Sequence, residues 1–267
     1  MYTITKGDTL GKIAKAHGIL LGELLAANPQ YKSDPNHIRI GDKVNIPGQS
    51  GVTESHEEAA TDAFTVPYGQ LTFDAEGQET PGRYFSRRVQ VPGPYSGITI
   101  GRGYDMGTRS ANEIIADLTA AGLEQATAER FAAGRGYKGQ KARNFITQQQ
   151  LDVIEITPQQ QKALFLITYK ELEGDVIRIS KKVDVVDKYG NVDWDSLNAV
   201  IRDIVVDLRY RGDYTGATRE RVQPPMVGND RAGLMQVITD RDYWIKRHGV
   251  PRDRFNRRKA YLENLSA

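Results

Sequence analysis

Cysteine is missing from this 267-residue chain, which excludes disulfide bonds and thiolate metal sites. The formal net charge is only +2, so the composition indicates no nucleic acid or other strongly anionic partner. No apolar run approaches the roughly 20 residues that a membrane-spanning helix needs. The opening MYTITKGDTL has no charged region followed by an apolar core, so we expect no secretory signal and synthesis in the cytoplasm. We also expect a monomer.

What the chain does contain is an ordinary globular balance, with 39% hydrophobic and 26% charged residues. Residues 1–48 predict a small unit in the order strand, helix, helix, strand, with Pro29 ending the second helix. Residues 49–66 are small and polar, and their charged side chains are all acidic. This composition predicts a flexible linker before a large domain at 67–267.

Three segments of the first unit carry a specific pattern: YTITKGDTLGKIAKAHG, LLAANP and IRIGDKVNIP. Together they resemble a LysM module, a family that binds N-acetylglucosamine polymers such as peptidoglycan or chitin in a shallow groove between two loops. The resemblance implies that peptidoglycan glycan strands are the partner. It places substrate contacts at Gly7, Asp8, Thr9, Leu10, Asn28, Pro29 and Gln30. Asp8 or Thr9 can equally cap the first helix, and the two roles are compatible.

The large domain predicts a small β element followed by helices, a two-lobed α+β arrangement with a cleft as the default site. In ITPQQQKALFLITYKELEG, Thr157 and Pro158 indicate a helix start, and we expect Ala163, Leu164, Leu166 and Ile167 in the core. Glu171, Glu173 and Asp175 are interpreted as a solvated helix end. The segment RYRGDYTG, residues 209–216, predicts either cleft-lining or ordinary packing side chains.

The stretch SGITIGRGYDMG, residues 96–107, predicts a β-hairpin with Gly101-Arg102-Gly103 as its loop. In that register Ile100 pairs with Tyr104, and Thr99 pairs with Asp105. Directly opposed residues have Cβ atoms about 4.5–5.5 Å apart, so a hydroxyl and a carboxylate can hold one water between them. A purely structural Thr–Asp pair is the alternative.

Upstream, Glu76 precedes Gly77 in FDAEG. Glu76, Thr99 and Asp105 in this setting resemble the pesticin-like branch of the lysozyme superfamily. The helix start ITPQQQKALF and the terminal RFNRRKAYLENL are similar to the broader phage-lysozyme pattern. Familiar phage lysozymes place the aspartate between the glutamate and the threonine, whereas residues 77–98 here contain no aspartate.

The resemblance implies a muramidase that cleaves the β-1,4 bond between N-acetylmuramic acid and N-acetylglucosamine with inversion. Glu76 would be the general acid, and Asp105 with Thr99 would position the water. Arg102 and Tyr104 are predicted substrate contacts. Phe73, Tyr84 and Tyr104 are candidate apolar walls around Glu76. We expect no metal or cofactor, since the four histidines (His17, His37, His56 and His248) show no ligand spacing.

Two other readings remain open: a non-catalytic wall-binding protein that kept the fold, and a chitin-directed enzyme. The expected place of action is the periplasm or cell wall. Delivery would use a secretion apparatus, as for a type VI antibacterial effector with a cognate immunity protein. A phage endolysin of the same activity is the alternative.

Overall fold

The computed structural model describes residues 2–5, 8–16, 21–31, 38, 41–46, 63–82 and 85–264. The chain divides into two units, Met1–Thr61 and Asp62–Ala267. Most of the predicted linker lies outside the described residues. None of the helices in the described part of the chain is long and apolar enough to cross a membrane.

The first unit has the predicted βααβ order. Strand β1 (Tyr2–Thr3) pairs antiparallel with β2 (Lys43–Val44), so that Tyr2 lies opposite Val44. Between them come α1 (Leu10–Ala16), α2 (Leu21–Ala26) and a 3-10 turn (Pro29–Tyr31). The apolar side chains of all these elements meet in one small core, made of Ile4, Leu10, Ile13, Ala14, Leu24, Tyr31, Val44 and Ile46.

The second unit is α+β, with one short hairpin among helices. It starts with α3 (Gln70–Glu76), followed by the hairpin strands β3 (Thr99–Ile100) and β4 (Tyr104–Asp105). The remaining elements are α4 (Ala111–Ala120), α5 (Gln125–Ala132), α6 (Gly139–Gln148), α7 (Pro158–Ser180), α8 (Val183–Tyr189), α9 (Ala199–Arg211), α10 (Gly216–Val227), α11 (Arg231–Ile238), a π-helical segment (Asp242–Arg247) and α12 (Arg252–Asn264).

Two hydrophobic clusters form the core of this unit. The smaller lobe packs the hairpin against α4, α5 and α6, and includes Ile100, Tyr104 and Leu164. The larger lobe packs α3 against α9 and the C-terminal helices, and includes Phe73, Phe165 and Tyr169. Helix α7 contributes to both clusters, because its neighbouring residues Leu164 and Phe165 belong to different ones.

Helix α7 begins as the sequence predicts. Thr157 is its N-cap and forms a capping box with Gln160, and Pro158 occupies the first helical turn. The predicted core positions were only partly right: Leu164 is buried, whereas Ala163, Leu166 and Ile167 are half-buried. The fully buried neighbours are Phe165, Thr168 and Tyr169. The face differs from the prediction because two lobes, and not one, pack against the helix.

Candidate active site

The hairpin has the predicted register. Thr99 lies opposite Asp105, and Ile100 lies opposite Tyr104. Gly101 and Gly103 in the loop both have positive φ angles, 65° and 92°, which glycine adopts without strain. On its other side Thr99 exchanges two backbone hydrogen bonds of 2.8 Å with Gln90. The hairpin is therefore held by a third segment that the sequence did not reveal.

The Asp105 carboxylate is bound by backbone amides. Gly107 N donates to its Oδ1 at 2.6 Å, and Gly97 N donates to its Oδ2 at 3.2 Å. The Thr99 hydroxyl donates to Gly97 O at 3.3 Å, and Thr99 is only 6% exposed. These contacts fix the Asp105 side chain, while each carboxylate oxygen keeps a second lone-pair site for a further donor.

Gly97 and Gly107 flank Asp105 because a side chain has no room there. A Cβ atom on Gly97 would overlap Asp105 Oδ1 and the backbone of Gly107, and one on Gly107 would lie 2.9 Å from Asp105 Oδ1. The spacing of glycines in SGITIGRGYDMG thus follows from the close approach of two backbone segments around one carboxylate.

We expect Gly97→Ala to displace the Asp105 carboxylate and to destabilise the second unit by about 1–3 kcal/mol, as overpacking usually does. Urea unfolding should show the loss. Gly174→Ala is the matched control, since a Cβ atom there meets nothing within 4 Å and, as at Gly97, the backbone φ lies outside the left-handed region. Equal effects from both variants would contradict the proposed crowding at Gly97.

Glu76 is the last residue of α3, and its side chain is 24% exposed. Its Oε1 accepts a hydrogen bond from Nη1 of Arg254 at 2.8 Å. Arg254 lies on α12, 178 residues further along the chain, and its side chain is only 7% exposed. The Glu76 carboxyl is therefore partly exposed and fixed at one oxygen by a buried guanidinium.

Arg102 is not a substrate contact, which corrects the prediction. It is 4% exposed, and its guanidinium donates to Phe73 O, to Gln161 Oε1 at 3.0 Å and to Glu79 Oε1 at 2.8 Å. It also lies over the Phe73 ring, 3.7 Å from the ring centroid. The residue that appeared to present a charge at the hairpin tip instead fastens that tip to α3.

Tyr104 is likewise buried, at 0% exposure, so it can neither contact substrate nor form a wall of an open site. Its hydroxyl donates to Asp117 at 2.7 Å, and burial followed by this hydrogen bond raises its pKa. Phe73 is also fully buried, and its ring contacts Arg102 and Phe165. Tyr84 lies outside the described residues. The side chains of Phe73 and Tyr104 thus belong to the two hydrophobic clusters and do not line an open surface beside Glu76.

Arg109 was missed by the sequence analysis. Its Nε donates to Asp105 O at 3.2 Å, its guanidinium lies over the Tyr104 ring, and it forms a two-pronged ion pair with Glu171 of α7. Glu171 is therefore not simply part of a solvated helix end. The pair joins the backbone of the hairpin to α7. The sequence around Arg109 offers no signal for this pair, because Arg109 and Glu171 lie 62 residues apart.

The described residues show no hydrogen bond or ion pair between Glu76 and either Thr99 or Asp105. Arg102, at the hairpin tip, links the hairpin to the end of α3, because its guanidinium packs against Gly77, the residue after Glu76. The Arg102 carbonyl accepts a hydrogen bond from the Tyr210 hydroxyl at 2.5 Å. Glu76 thus adjoins the hairpin tip. Thr99 and Asp105 lie opposite each other on the two strands, each three positions in sequence from Arg102.

The segment 209–216 was predicted to supply either cleft-lining or ordinary packing side chains, and Tyr210, Asp213 and Tyr214 pack. Tyr210 is packed beneath the hairpin tip, and Tyr214 is 3% exposed in the core. Asp213 is 7% exposed and pairs with Arg211 and Arg258. These side chains have packing roles.

Asp207 of α9 is the centre of a buried charge network that the sequence did not predict. It is 0% exposed and accepts from Arg254 Nε at 3.1 Å, Arg258 Nε at 2.7 Å and Thr72 Oγ1 at 2.9 Å. Burial alone would raise the pKa of Asp207. Arg258 and Arg254 reverse this, so that its pKa lies below the ordinary value of 3.8.

A depressed pKa in the folded state means that Asp207 stabilises the fold above its unfolded pKa and loses that contribution as the pH falls through the folded value. We therefore expect the free energy of unfolding to decline below about pH 4. Urea unfolding of the native chain and of Asp207→Asn across this range would measure it. The native chain should show the steeper decline, and parallel curves would contradict the assignment.

In the first unit, two predicted glycan contacts are structural. Leu10 is 1% exposed in the core. Asn28 is 2% exposed, and its amide bonds Leu24 O, Asn45 O and Asn45 N at 2.6–2.8 Å, closing the unit. Their side chains face inward, so a glycan contact at these two positions could come only from the backbone.

The other predicted glycan contacts of that unit are either exposed or engaged in local hydrogen bonds. Pro29 and Gln30 are exposed. Thr9 Oγ1 accepts from Lys12 N at 3.2 Å, as a helix cap does. Asp8 accepts from Thr5 N at 2.7 Å and from the Tyr2 hydroxyl, and these bonds lower its pKa. Gly7 lies outside the described residues.

Within the described part of the chain, no group of three or more His, Cys, Asp or Glu residues could hold a metal ion. His248 packs against Tyr243 and Trp244, with ring centroids 4.5 and 5.9 Å away. The other three histidines lie outside the described residues.

A cavity of about 290 Å³ lies beside the hairpin, at the segment that pairs with Thr99. It is lined by Val89, Gln90, Val91, Pro92, Arg143, Ile146, Thr147 and Asp152. Glu76 does not line it, so this cavity is distinct from the carboxyl's surroundings.

Comparison with known proteins finds two short similarities. The chain is 42% identical over 60 residues to an endolysin of Bacillus phage PZA, an alignment that covers 22% of this chain and 23% of that protein. It is 37% identical over 70 residues to the N-acetylmuramoyl-L-alanine amidase XlyB of Bacillus subtilis (strain 168), covering 26% of this chain and 20% of that protein. The chain thus matches less than a quarter of the length of either relative.

Family models cover both units. A LysM domain matches residues 2–47. The family described as "Domain of unknown function (DUF8812)" matches residues 69–259, well over half of the chain. The chain therefore belongs to the DUF8812 family and carries a LysM domain ahead of the part that defines that family.

Proposed function

We propose that this protein is a peptidoglycan muramidase, cleaving the β-1,4 bond that follows N-acetylmuramic acid, with the LysM domain retaining it on the wall. The observation that carries the proposal is Glu76. It is a partly exposed carboxyl at a helix end whose Oε1 is held by Arg254, and the described residues provide no partner for Oε2. Such a group can transfer a proton to a leaving oxygen.

Asp105 supplies the second carboxylate that the chemistry requires. Its two backbone amide bonds hold it in one orientation, and its free lone pairs can accept a water that Thr99 also contacts. An inverting reaction needs the two carboxyls roughly 6.5–9.5 Å apart, with the water between one of them and the sugar.

The substrate class is supported by the first unit and by the relatives. A LysM domain is expected to bind N-acetylglucosamine-containing glycans, and Asp8, Thr9, Pro29 and Gln30 lie at positions where such a contact is proposed. One relative is named an endolysin, and the other is named for the muramoyl–alanine bond of peptidoglycan. Peptidoglycan is therefore the preferred substrate over chitin.

The test is product analysis after the native protein digests purified peptidoglycan. The fragments are reduced with borohydride and identified by mass spectrometry. A muramidase leaves reducing N-acetylmuramic acid, which becomes muramitol. Chitin oligosaccharides are digested in parallel.

Any other outcome of the product analysis would overturn the muramidase proposal and indicate a different activity. Reduced N-acetylglucosamine ends would indicate cleavage of the other glycan bond. Free peptides with a new N-terminal alanine would indicate an amidase, the activity named for the Bacillus subtilis relative. Co-sedimentation with peptidoglycan but no fragments would indicate a binding protein.

The biological setting forms part of the same proposal. An antibacterial effector carried by a secretion apparatus would be paired with an immunity protein that abolishes digestion when added in equimolar amount. The short similarity to a phage endolysin supports lysis of a phage host as the alternative. Both settings require the same bond to be cleaved.

A further inference from the structure

A buried carboxylate stands directly behind the proposed acid. Asp207 belongs to α9, whereas Glu76 ends α3, and the two carboxylates do not bond each other. Both bind the same guanidinium, that of Arg254 on α12. Three helices thus meet through one arginine.

The three nitrogen atoms of the Arg254 guanidinium are divided between the two carboxylates. Nε and Nη2 donate to Asp207 at 3.1 and 2.5 Å, as a two-pronged pair, and Nη1 donates to Glu76 at 2.8 Å. A guanidinium is planar and rigid, so two bonds to Asp207 fix the plane and with it the position of Nη1. The position of Glu76 Oε1 is therefore determined from the buried side.

Two further side chains, Thr72 and Arg258, hold the Asp207 carboxylate in place. Thr72 donates to its Oδ1, and Arg258 donates to its Oδ2 while pairing with Asp213 at 2.8 Å. Arg258 is 2% exposed. Since these groups lie on α3, α9 and α12 or just beyond, the Asp207 carboxylate has little freedom to follow a moving Arg254.

We infer that Asp207 is a positioning residue that acts on Glu76 through Arg254, holding Oε1 so that Oε2 remains for proton transfer to the glycan. The inference rests on the proposed function for the identity of the reaction. It goes beyond it in assigning a role to a residue that cannot touch substrate.

The test measures the Glu76 carboxyl directly, by carbon-13 NMR titration of side-chain-labelled glutamate in the full chain, with Glu76→Gln to assign the signal. Several elements contribute charged or titratable groups near Glu76, and each variant replaces at most one of them. These groups are Asp74, Glu79, Arg102, Arg109, Asp207, Tyr210, Arg254 and Arg258.

Two variants should move the titration in opposite directions. Arg254→Gln removes the positive charge beside Glu76, so its midpoint should rise. Asp207→Asn removes the negative charge behind Arg254 with little change of shape, so the midpoint should fall. Arg257→Gln, an exposed arginine on the same helix, is the matched control and should leave the midpoint unchanged.

A conservative variant separates charge from position. Arg254→Lys keeps the charge, but a lysine cannot make a planar bridge to both carboxylates. We expect its midpoint near the native value, its KM on soluble glycan strands little changed, and kcat reduced about 100-fold, as a misplaced group costs. Full kcat in Arg254→Lys would overturn positioning.

The two proposals fail differently. An unchanged midpoint and unchanged kcat in Asp207→Asn would overturn the role of Asp207 whatever the protein cleaves. The Glu76 midpoint could shift in opposite directions in Arg254→Gln and Asp207→Asn while the native protein releases no reducing ends from peptidoglycan. That result would support the Asp207–Arg254–Glu76 coupling and overturn only the muramidase activity.

Discussion

Glu76→Gln should lower the rate of reducing-end release from peptidoglycan by about 10²–10⁴-fold, the usual contribution of a positioned general acid. Glutamine has nearly the same shape and can still accept a hydrogen bond from Arg254, so the fold should persist. It cannot donate a proton of useful acidity to the leaving oxygen. The measurement is the initial rate of muramitol-forming ends per mole of protein, with thermal unfolding recorded on the same samples.

Glu155→Gln is the control for that loss. Glu155 is 34% exposed and pairs with Arg87 and Arg88, so it resembles Glu76 in exposure and in having an arginine partner. It belongs to no part of the proposed site, and its replacement should leave the rate within about twofold, as for an exposed ion pair. A Glu76→Gln protein with native activity would remove Glu76 from the mechanism.

Asp207→Ala should destabilise the second unit by about 3–5 kcal/mol, the cost of removing one partner from a buried ion pair. Arg254 would keep Glu76 as its carboxylate partner, Arg258 would keep Asp213, and Thr72 would lose its acceptor. The chain has two tryptophans, Trp194 and Trp244, and both are in this unit. Tryptophan fluorescence during urea unfolding therefore reports on it without interference from the LysM domain.

Asp187→Ala provides the comparison, because Asp187 is an exposed aspartate on α8. Surface replacements of this kind usually change stability by less than about 0.5 kcal/mol. A loss below about 1 kcal/mol in Asp207→Ala would show that the network contributes little to the fold.

Local patterns could be predicted from the sequence. The pairing of Thr99 with Asp105 follows from the two glycines around Arg102, and the start of α7 follows from Thr157 and Pro158. Each of these features depends on residues within a few positions of one another. The βααβ order of the first unit could be predicted for the same reason.

Features that join distant segments could not be predicted. Arg102 was predicted as a substrate contact in a hairpin loop, but its burial depends on Phe73 of α3 and on Glu79, which follows that helix. The partner of Glu76 is 178 residues away. Asp207 is one of several charged residues of α9, together with Arg202, Asp203, Arg209 and Arg211, and nothing in the pattern distinguishes it from them. Tertiary packing decides which face of such a helix is buried, so pattern alone cannot assign their roles.

Helix α7 also constrains how the length of the chain can vary. Its first buried residues serve the smaller lobe through Leu164, and the following ones serve the larger lobe through Phe165, Tyr169 and Val176. One residue inserted between Leu164 and Phe165 would turn everything after it by about 100° around the helix axis. The number of residues in α7 thus fixes the rotation about the helix axis between the side chains that pack in one lobe and those that pack in the other. We therefore expect insertions and deletions among related chains to fall in the connecting loops and not in this helix.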